Sequence, residues 1–457
     1  MNESFSSLAR PNRRRFLQAS LGGAMAFPAI VRGRDLNSRL RHASIGVGGM
    51  GGNDLDQISK HPMVDLVALC DVDAGTLGGA GGKFPNARRY ADWRQLLEKE
   101  AGQIDSVNVA VPDHMHAPIG LSALRAGLNL YLQKPMCHEV AEVRALTLAA
   151  AEAGVTTQLG TQHASGIGDR TAVQWVRSGL IGKVRRVYCG SNRKGAVESY
   201  RLPGPRPAEA SAPPENLSWD LWLGTAPARP FAPKIYHPML WRSWQDFGTG
   251  WSGDIGCHIL DSIWRSLDLK APSTVKAEVE PAWKDDPARR ADTWPRGDTI
   301  TWTFPGNERT TDATLAVQWF DGAFLPPEEI RNLWPGGDFP DEFGVWVGEK
   351  GVLVLPHTGF PKLFVDGKVQ QPERPPLEAR NHYHHFIDGI LGKSKNESGF
   401  DHAGPMSETV VLGTVAVRCP GEVLTWNSAP LEISGSPKAP SLLRRAYREG
   451  WKVEGLG

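Results

Sequence analysis

A glycine-rich loop near the start of the chain restricts the fold more than any other feature of the sequence. The apolar run at residues 43–47 leads into a short stretch that carries Gly46, Gly48 and Gly51, and a helical pattern follows through residue 58. In a strand–loop–helix unit, the first glycine permits a tight turn, the second lets the backbone approach phosphates, and the third allows close packing. This order predicts a Rossmann-type nucleotide-binding unit.

An acidic residue stands at the spacing that such a unit uses to recognise ribose. Asp71 follows the second predicted strand, residues 64–70, about twenty residues after the loop. No arginine follows Asp71 to receive a 2′-phosphate, so we expect NAD rather than NADP as the cofactor. The pyrophosphate is expected at the helix N-terminus, where free N–H groups favour negative charge. Its expected contacts are Gly46, Gly48, Gly49, Met50 and Gly51.

The pattern of apolar residues predicts two domains of different construction. Short apolar runs alternate with helical segments to about residue 160, which indicates an α/β domain with a parallel, doubly wound sheet. Beyond it, two-residue alternation predicts a second, α+β domain with a mostly antiparallel sheet, its strands at 183–191, 274–280, 298–304, 314–320 and 345–355. Late helices are expected at 381–391, 407–418 and 441–450. The predicted division is a leader at 1–34, a nucleotide-binding domain at 41–160 and a second domain at 161–457.

The leader has the layout of a twin-arginine export signal. Arg13 and Arg14 are followed by Phe16, Leu17 and an apolar run at residues 19–31, and the machinery that reads such signals exports folded proteins. A disordered basic tail is the alternative. The run has 13 residues, whereas a helix that crosses a bilayer needs about 20. We therefore expect a periplasmic or otherwise exported protein with no membrane span in its mature form.

Charge and cysteine content argue against several classes of protein. The chain has 51 basic and 50 acidic residues in a well-mixed distribution, unlike the clustered basic face of a nucleic-acid-binding protein. The five cysteines are scattered without a Cys-x-x-Cys spacing, which predicts buried thiols rather than a disulfide framework. The histidines at 114, 116, 163, 382, 384 and 385 match no standard ligand spacing, so we expect no metal site.

Three polar residues stand where chemistry on a bound ligand is expected. Lys134 and Pro135 follow a predicted strand at its carboxyl end, where open α/β sheets bind ligands, although an ordinary turn is the alternative. Asp254 and His258 are four residues apart in a helical run, which places both side chains on one helix face. A histidine exchanges protons near neutral pH and a carboxylate can orient it, although a surface ion pair is the alternative.

Aromatic residues are dense just ahead of this helical run. Sugar rings stack on such faces, so we expect a carbohydrate contact surface, with packing in the core or at a subunit interface as the alternative. The candidate substrate contacts are Tyr236, Trp241 and Trp251.

Taken together, these residues resemble the Gfo/Idh/MocA family, named after glucose-fructose oxidoreductase and inositol dehydrogenase. The resemblance extends from about residue 41 to the C-terminus and is carried by the glycine loop, the Pro112-Asp113-x-x-His116 segment, Lys134-Pro135 and the Asp254-x-x-x-His258 helix. It implies a Rossmann domain followed by a domain with an open-faced sheet, commonly used for dimer or tetramer contacts.

The resemblance also implies roles for individual residues. Lys134, Asp254 and His258 correspond to a catalytic trio, in which the lysine also borders the cofactor. Further cofactor contacts are implied at Pro112, His116 and Gln162, and His163 is expected to help place the substrate. Many members carry glutamate before the Lys-Pro pair, where this chain has Gln133, so we expect an altered pH optimum.

The reaction implied by the resemblance is hydride transfer between a sugar or cyclitol carbon and C4 of the nicotinamide. His258 is expected to take the hydroxyl proton, with Asp254 orienting it and Lys134 holding the substrate oxygen. Because an exported enzyme has no pool of free nucleotide, we expect a tightly held cofactor. An NAD-dependent glycoside hydrolase, which oxidises its substrate only transiently, is the main alternative, and Lys134 favours the dehydrogenase. A non-enzymatic sugar-binding protein is the third.

Overall fold

The computed structural model describes residues 39–193 and 210–457, apart from residues 323 and 336. The expected export signal at 1–34 lies outside these residues. Among the described helices, none combines the length and apolarity needed to span a bilayer.

The first sheet has six parallel strands in the order β3-β2-β1-β4-β5-β6. These strands are β1 Leu40–Ile45, β2 Val64–Cys70, β3 Arg88–Tyr90, β4 Ser106–Val109, β5 Asn129–Leu132 and β6 Thr157–Leu159. The helices between and after them are α1 Gly49–Ser59, α2 Ala74–Lys83, α3 Trp93–Glu100, α4 His116–Arg125 and α5 Val140–Ala153. Strand order reverses at β1, and the crevice at the carboxyl ends of β1 and β4 is where open α/β sheets bind ligands. The predicted parallel, doubly wound sheet is confirmed.

The second sheet has ten strands in the order β14-β13-β12-β11-β7-β10-β9-β8-β15-β16. Its strands are β7 Val184–Ser191, β8 Thr274–Val279, β9 Asp298–Pro305, β10 Thr314–Asp321, β11 Glu342–Gly348, β12 Val352–Pro356, β13 Lys362–Val365, β14 Lys368–Gln370, β15 Val423–Asn427 and β16 Glu432–Ser434. The β7–β10 pair is parallel and the other pairs are antiparallel. The predicted mostly antiparallel sheet is therefore confirmed.

Helices of the second part of the chain pack on this sheet and link it to the first. They are α6 Ile167–Arg177, α7 Trp219–Leu223, α8 Gly250–Leu267, α9 Pro281–Lys284, α10 Pro287–Asp292, α11 Glu328–Arg331, α12 His382–Ile390 and α13 Phe400–Val417. Helix α8 packs on β7 and β11, and α13 packs on β8, β9 and helix α5 of the first sheet. Because α8 is enclosed in this way, nearly all of its residues are buried, and its polar side chains lie at the junction of the two sheets.

Three expectations about secondary structure were wrong in detail. The helix expected at 407–418 begins earlier, as α13 Phe400–Val417. The strand expected at 345–355 is a hairpin, because a turn at residues 349–351 separates β11 from β12. The helix expected at 441–450 is a short 3-10 turn, Ala439–Leu442, followed by irregular chain. In that chain Tyr447 donates from its hydroxyl to Glu142 at 2.7 Å and Arg445 donates to the same carboxylate at 3.3 Å. These tertiary bonds outweigh a weak local preference for helix.

Candidate active site

The glycine loop between β1 and α1 has the geometry of a phosphate cradle. Gly46 has a φ of +79°, and a Cβ on it would lie 2.1 Å from the Ala110 carbonyl oxygen. A Cβ on Gly51 would lie 2.2 Å from the Gly46 carbonyl oxygen, so this glycine lets α1 pack against the loop. Around Gly49, with a φ of +50°, a Cβ would meet no described atom within 4 Å. The open helix N-terminus therefore fits a dinucleotide pyrophosphate.

The acidic residue after β2 is held in place by the same loop. The carboxylate of Asp71 accepts hydrogen bonds from the backbone N–H groups of Val47 and Asp73, both at 2.9 Å. Burial raises the pKa of Asp71, although these hydrogen bonds oppose the rise. Asp73 caps α2 by accepting from Gly75 N–H at 2.8 Å and Thr76 N–H at 3.0 Å. Asp71 at this position fits the ribose hydroxyls of NAD, and the negative charge of the two carboxylates disfavours the 2′-phosphate of NADP.

The lysine predicted to be catalytic meets the aspartate from helix α8. The Lys134 ammonium donates to Asp254 Oδ1 at 3.0 Å and to the Asp254 carbonyl oxygen at 3.2 Å, and its side chain is 13% exposed. Burial acts to raise the pKa of Asp254, but Lys134 and Arg242 outweigh it and lower that pKa. We expected Asp254 to orient His258. The carboxylate instead contacts Lys134 and, at 3.5 Å, Arg242 Nε, so Asp254 orients the amine.

His258 lies one helical turn after Asp254 and is surrounded by uncharged imidazoles. Its ring centroid is 6.0 Å from that of His163 and 5.5 Å from that of His357, and those two rings are 4.4 Å apart. Burial, followed by Lys134 and then His357, lowers the pKa of His258 well below its ordinary value. His258 is therefore an unprotonated base at neutral pH. His357 was missed by the sequence analysis, because it is an isolated histidine directly after β12.

This electrostatic setting leads to a prediction about pH dependence. Because the pKa of His258 lies well below 6.5, the base form persists as the pH falls through that value. We expect kcat/KM to stay level on the acid side to about pH 6, as befits a general base that is still unprotonated there. A profile of kcat/KM between pH 5 and 9 measures this. An acid limb centred at 6.5 or above would contradict the lowered pKa of His258.

The segment after β4, Pro112 to His116, packs against the loops that carry the site. The ring nitrogens of His116 lie 2.7 Å from the Pro135 carbonyl oxygen and 2.8 Å from the Val111 carbonyl oxygen, and the residue is 1% exposed. This placement makes His116 a link between two loops rather than a direct ligand contact. Pro112 directly precedes the 3-10 turn Asp113–Met115, shortly after the end of strand β4, which borders the crevice.

Asp113 has no role assigned in the sequence analysis beyond its place in the Pro112-Asp113-x-x-His116 segment, although it anchors the helix that carries Asp254 and His258. Its carboxylate accepts from the backbone N–H of Thr249 at 3.2 Å and from the Thr249 hydroxyl at 3.0 Å, directly before α8. Burial and the nearby charge of Asp254 raise the pKa of Asp113 to about 7. The first sheet thereby fixes the start of the helix from which Asp254 and His258 project.

The two residues expected after β6 are placed differently from each other. Gln162 and His163 both lie in the 3-10 turn Gln162–Ser165. The side chain of Gln162 lies beside the phenols of Tyr131 and Tyr383, whereas His163 faces His258. Of the two, His163 is the one beside the trio.

The aromatic residues proposed as substrate contacts are mainly packing residues. Tyr236 is 2% exposed, and its ring centroid lies 5.3 Å from Trp244 and 5.5 Å from Phe247 in a buried aromatic cluster. Its expected substrate role is corrected accordingly. Trp251 is also buried and donates from its indole N–H to the Ser191 carbonyl oxygen at 3.0 Å. Trp241 is buried but lies under the guanidinium of Arg242, at 4.2 Å from the ring centroid, and so borders the site through Arg242.

No group of three or more histidine, cysteine or acidic residues in the described part of the chain could hold a metal ion. The five cysteines are free and buried, as the sequence predicts.

Comparison with known proteins matches both parts of the chain to one family. Residues 40–161 match the model of the Gfo/Idh/MocA oxidoreductase family's NAD-binding Rossmann fold, and residues 169–306 match that family's C-terminal alpha/beta domain. Among curated relatives, D-apiose dehydrogenase of Paraburkholderia graminis is 34% identical over 117 residues, which cover 26% of this chain and 31% of that protein. A glycosyl hydrolase family 109 protein of Stenotrophomonas maltophilia is 31% identical over 203 residues, covering 39% and 41% respectively. The matched stretches thus span under half the length of these relatives.

A solved structure supports the fold over a longer range. The inositol dehydrogenase homologue of Azotobacter vinelandii, crystallised with NADH and myo-inositol, superposes with a TM-score of 0.61 at 18% identity, covering 85% of this chain and 98% of that one. Together with the two family matches, which take in more than half of the sequence, this likeness leads to one conclusion. The chain belongs to the Gfo/Idh/MocA oxidoreductase family.

Proposed function

We propose that this protein transfers hydride between NAD and a hydroxyl-bearing carbon of a sugar or cyclitol. The observation that carries the proposal is the meeting of Lys134 with the helix of His258, through the 3.0 Å contact to Asp254, at the carboxyl edge of the first sheet. The Lys134 amine and the uncharged imidazole of His258 thereby lie near each other at this edge. That pairing suits the removal of a proton from an alcohol as its carbon loses hydride.

Each residue of the trio has a distinct role in this mechanism. Lys134 donates a hydrogen bond to the reacting oxygen and stabilises the negative charge that develops on it. Asp254 aims the amine through the 3.0 Å contact, and the pKa of this carboxylate is itself lowered by that amine and by Arg242. His258 accepts the hydroxyl proton in oxidation and returns it in reduction. Bound NAD would supply the hydride acceptor, held by the glycine loop and Asp71.

The substrate class rests on the relatives and on the uncharged character of the imidazole cluster. The curated relatives include D-apiose dehydrogenase and inositol 2-dehydrogenases, the latter 28% identical over 102 residues in Corynebacterium glutamicum. His163 and His357 provide neutral nitrogen donors and acceptors beside His258, which suit several hydroxyl groups on one ring. A polyhydroxylated ring is therefore the substrate class that fits best.

A glycoside hydrolase with transient oxidation is the second candidate. It is favoured by the relative from glycosyl hydrolase family 109, whose match is longer than that of the D-apiose enzyme. In that chemistry the same base and amine would serve an oxidation, an elimination and the return of hydride, with no net redox change.

A panel of free sugars, cyclitols and p-nitrophenyl glycosides separates the two candidates. We expect NADH absorbance near 340 nm to rise with a free sugar or cyclitol when NAD is in excess. Release of p-nitrophenol without lasting accumulation of NADH would instead support the hydrolase. Neither signal with any compound, from protein shown to bind NAD, would contradict both candidates.

We further propose that the protein is exported by the twin-arginine route with its NAD already bound. The sequence at 1–34 supports export. Retention of NAD is supported by the segment at 216–237, which is hydrogen-bonded to the loop after β2. Ser218 N–H donates to the Val72 carbonyl oxygen at 3.0 Å, and Ala74 N–H donates to the Asn216 carbonyl oxygen at 2.8 Å. His237 Nε2 lies 3.3 Å from Asp73 Oδ2. This segment would restrict departure of the adenosine end.

The open side of the second sheet supports a homodimer or tetramer. Along β9 and β10, buried residues alternate with half-buried ones. The half-buried positions, on the side opposite the buried core positions, carry Thr299, Thr301, Thr303, Ala316, Gln318 and Phe320. A face of uncharged side chains suits contact between copies of the same chain.

A further inference from the structure

A buried carboxylate and a buried amide meet directly behind the lysine of the site. Gln133 Nε2 donates to both carboxylate oxygens of Asp54, at 3.0 and 2.9 Å. The other end of the same amide, Oε1, accepts the backbone N–H of Lys134 at 3.2 Å. Asp54 lies in α1, three residues after Gly51, and Gln133 directly follows β5. One side chain therefore bridges the helix of the glycine loop and the residue that carries the amine.

The bridging amide is confined by its surroundings. A Cβ on Gly160 would lie 2.7 Å from Gln133 Oε1, so β6 and its following residue close one side of the amide. On the other side, Tyr383 of helix α12 is hydrogen-bonded to Asp54, and the Tyr383 hydroxyl accepts from Asn53 Nδ2 at 2.8 Å. With these neighbours in place, Gln133 has its polar atoms satisfied in one orientation and little room for another.

The chemistry of the pair makes it sensitive to added charge. Burial raises the pKa of Asp54 to about 7, against the opposing hydrogen bonds from Gln133 and Tyr383. The ionisable groups that face Asp54 are the phenols of Tyr131 and Tyr383, and burial together with Asp54 raises the pKa of both. An amide at 133 serves as a donor to the carboxylate without adding charge. A second carboxylate at 133 would have to share a proton with Asp54.

We propose that Asp54 is a positioning residue for Lys134, acting through Gln133. It couples the helix that faces the dinucleotide phosphates to the amine that faces the substrate oxygen. Asp54 itself is fully buried, so its effect on the reaction passes through the Gln133 amide and the Lys134 backbone. The inference rests on the role of Lys134 in the proposed function.

A charge exchange between the two positions tests the proposal. Gln133→Glu alone places two carboxylates in contact. Asp54→Asn combined with Gln133→Glu restores one amide facing one carboxylate, with the amide now at position 54 as the donor. In Gln133→Glu the shared proton is retained at low pH and lost as the pH rises through the raised pKa of the pair. The carboxylates then repel each other, and the acceptor for Lys134 N–H moves away.

We expect kcat/KM of Gln133→Glu to fall at least about tenfold at pH 8.5 and less than about threefold at pH 6. The exchanged double variant should return to within about threefold of the parent at both pH values. A Gln133→Glu protein that matches the parent at pH 8.5, or a double variant as impaired as the single one, would overturn the proposal. A purely structural role would lower the melting temperature without this dependence on pH.

Labelling of Lys134 supplies a readout that does not depend on turnover. Lys134 is acetylated with an N-hydroxysuccinimide ester at pH 8.5, and the extent of labelling is mapped by mass spectrometry. We expect this extent to differ from that of the parent by at least about threefold in Gln133→Glu and to return to the parental value in the double variant. Asp56→Asn is the matched control, because Asp56 lies on the same helix but is exposed and paired with Lys60. If the parent protein shows no turnover, the proposed function fails, and the labelling series alone decides whether Asp54 positions Lys134.

Discussion

Lys134→Met is expected to lower kcat by about 10²–10⁴-fold while NAD binding stays within about threefold of the parent protein. Methionine fills a similar volume but cannot donate to the substrate oxygen or balance charge on it. Of the two cations that lower the pKa of Asp254, Lys134 has the larger effect. Without its amine, the Asp254 carboxylate is expected to take up a proton more readily. Steady-state rates and nucleotide fluorescence titrations measure the two quantities separately.

Lys60→Met is the control for that experiment. Lys60 is 58% exposed, and its ion pair with Asp56 lies on the surface, where such pairs contribute little to stability. Its replacement should leave both rate and affinity unchanged. Retention of more than about a tenth of the parental kcat in Lys134→Met would be incompatible with an amine that stabilises the reacting oxygen.

Gly48→Val is expected to weaken NAD binding by at least about 100-fold, equivalent to about 2.8 kcal/mol. The backbone at Gly48 has a φ of −101° and a ψ of 165°, which valine adopts without backbone strain, so the protein should fold once the Thr76 side chain shifts. A Cβ there would lie 2.9 Å from the Thr76 side chain, and the branched side chain would obstruct the approach of the pyrophosphate. Release of nucleotide from purified, denatured protein measures retention directly.

The parent protein should release close to one NAD per chain and Gly48→Val almost none. Gly79→Val is the matched control, because Gly79 is an exposed helical glycine where an added Cβ meets no described atom within 4 Å. Equal nucleotide content in parent and Gly48→Val would refute the placement of the pyrophosphate. A parent protein purified free of nucleotide, with weak affinity for NAD, would refute retention during export.

The features of the fold and site that local sequence determines could be predicted. Gly46, Gly48 and Gly51 reveal the cradle because backbone geometry and close packing demand glycine at those positions. The alternation of buried residues along β9 and β10 likewise reveals a sheet with one covered face. Asp254 and His258 share a helix face because the helical repeat places residues four apart on the same side.

The parts that depend on tertiary contacts could not be predicted. His357 reaches His258 only because β12 pairs with β11, which in turn pairs with β7 beside helix α8. Asp54 and Gln133 come from different strand–helix units, and nothing in either local sequence indicates the other. Tyr236 shows the opposite error, since a dense aromatic sequence does not indicate which rings face a ligand and which pack together. Asp254 was assigned to His258 by spacing, whereas the lysine from the first sheet is its partner.

The most direct test of the central claim follows one hydrogen atom. NADH carrying deuterium on either face of C4 is supplied with the oxidised form of the substrate that the panel identifies, and the sugar product is analysed by mass spectrometry. We expect deuterium to move from one face of the nicotinamide to the reduced carbon, and Lys134→Met to lose this transfer while still binding NADH. Reduced sugar without deuterium from either labelled form would contradict direct hydride transfer at this site.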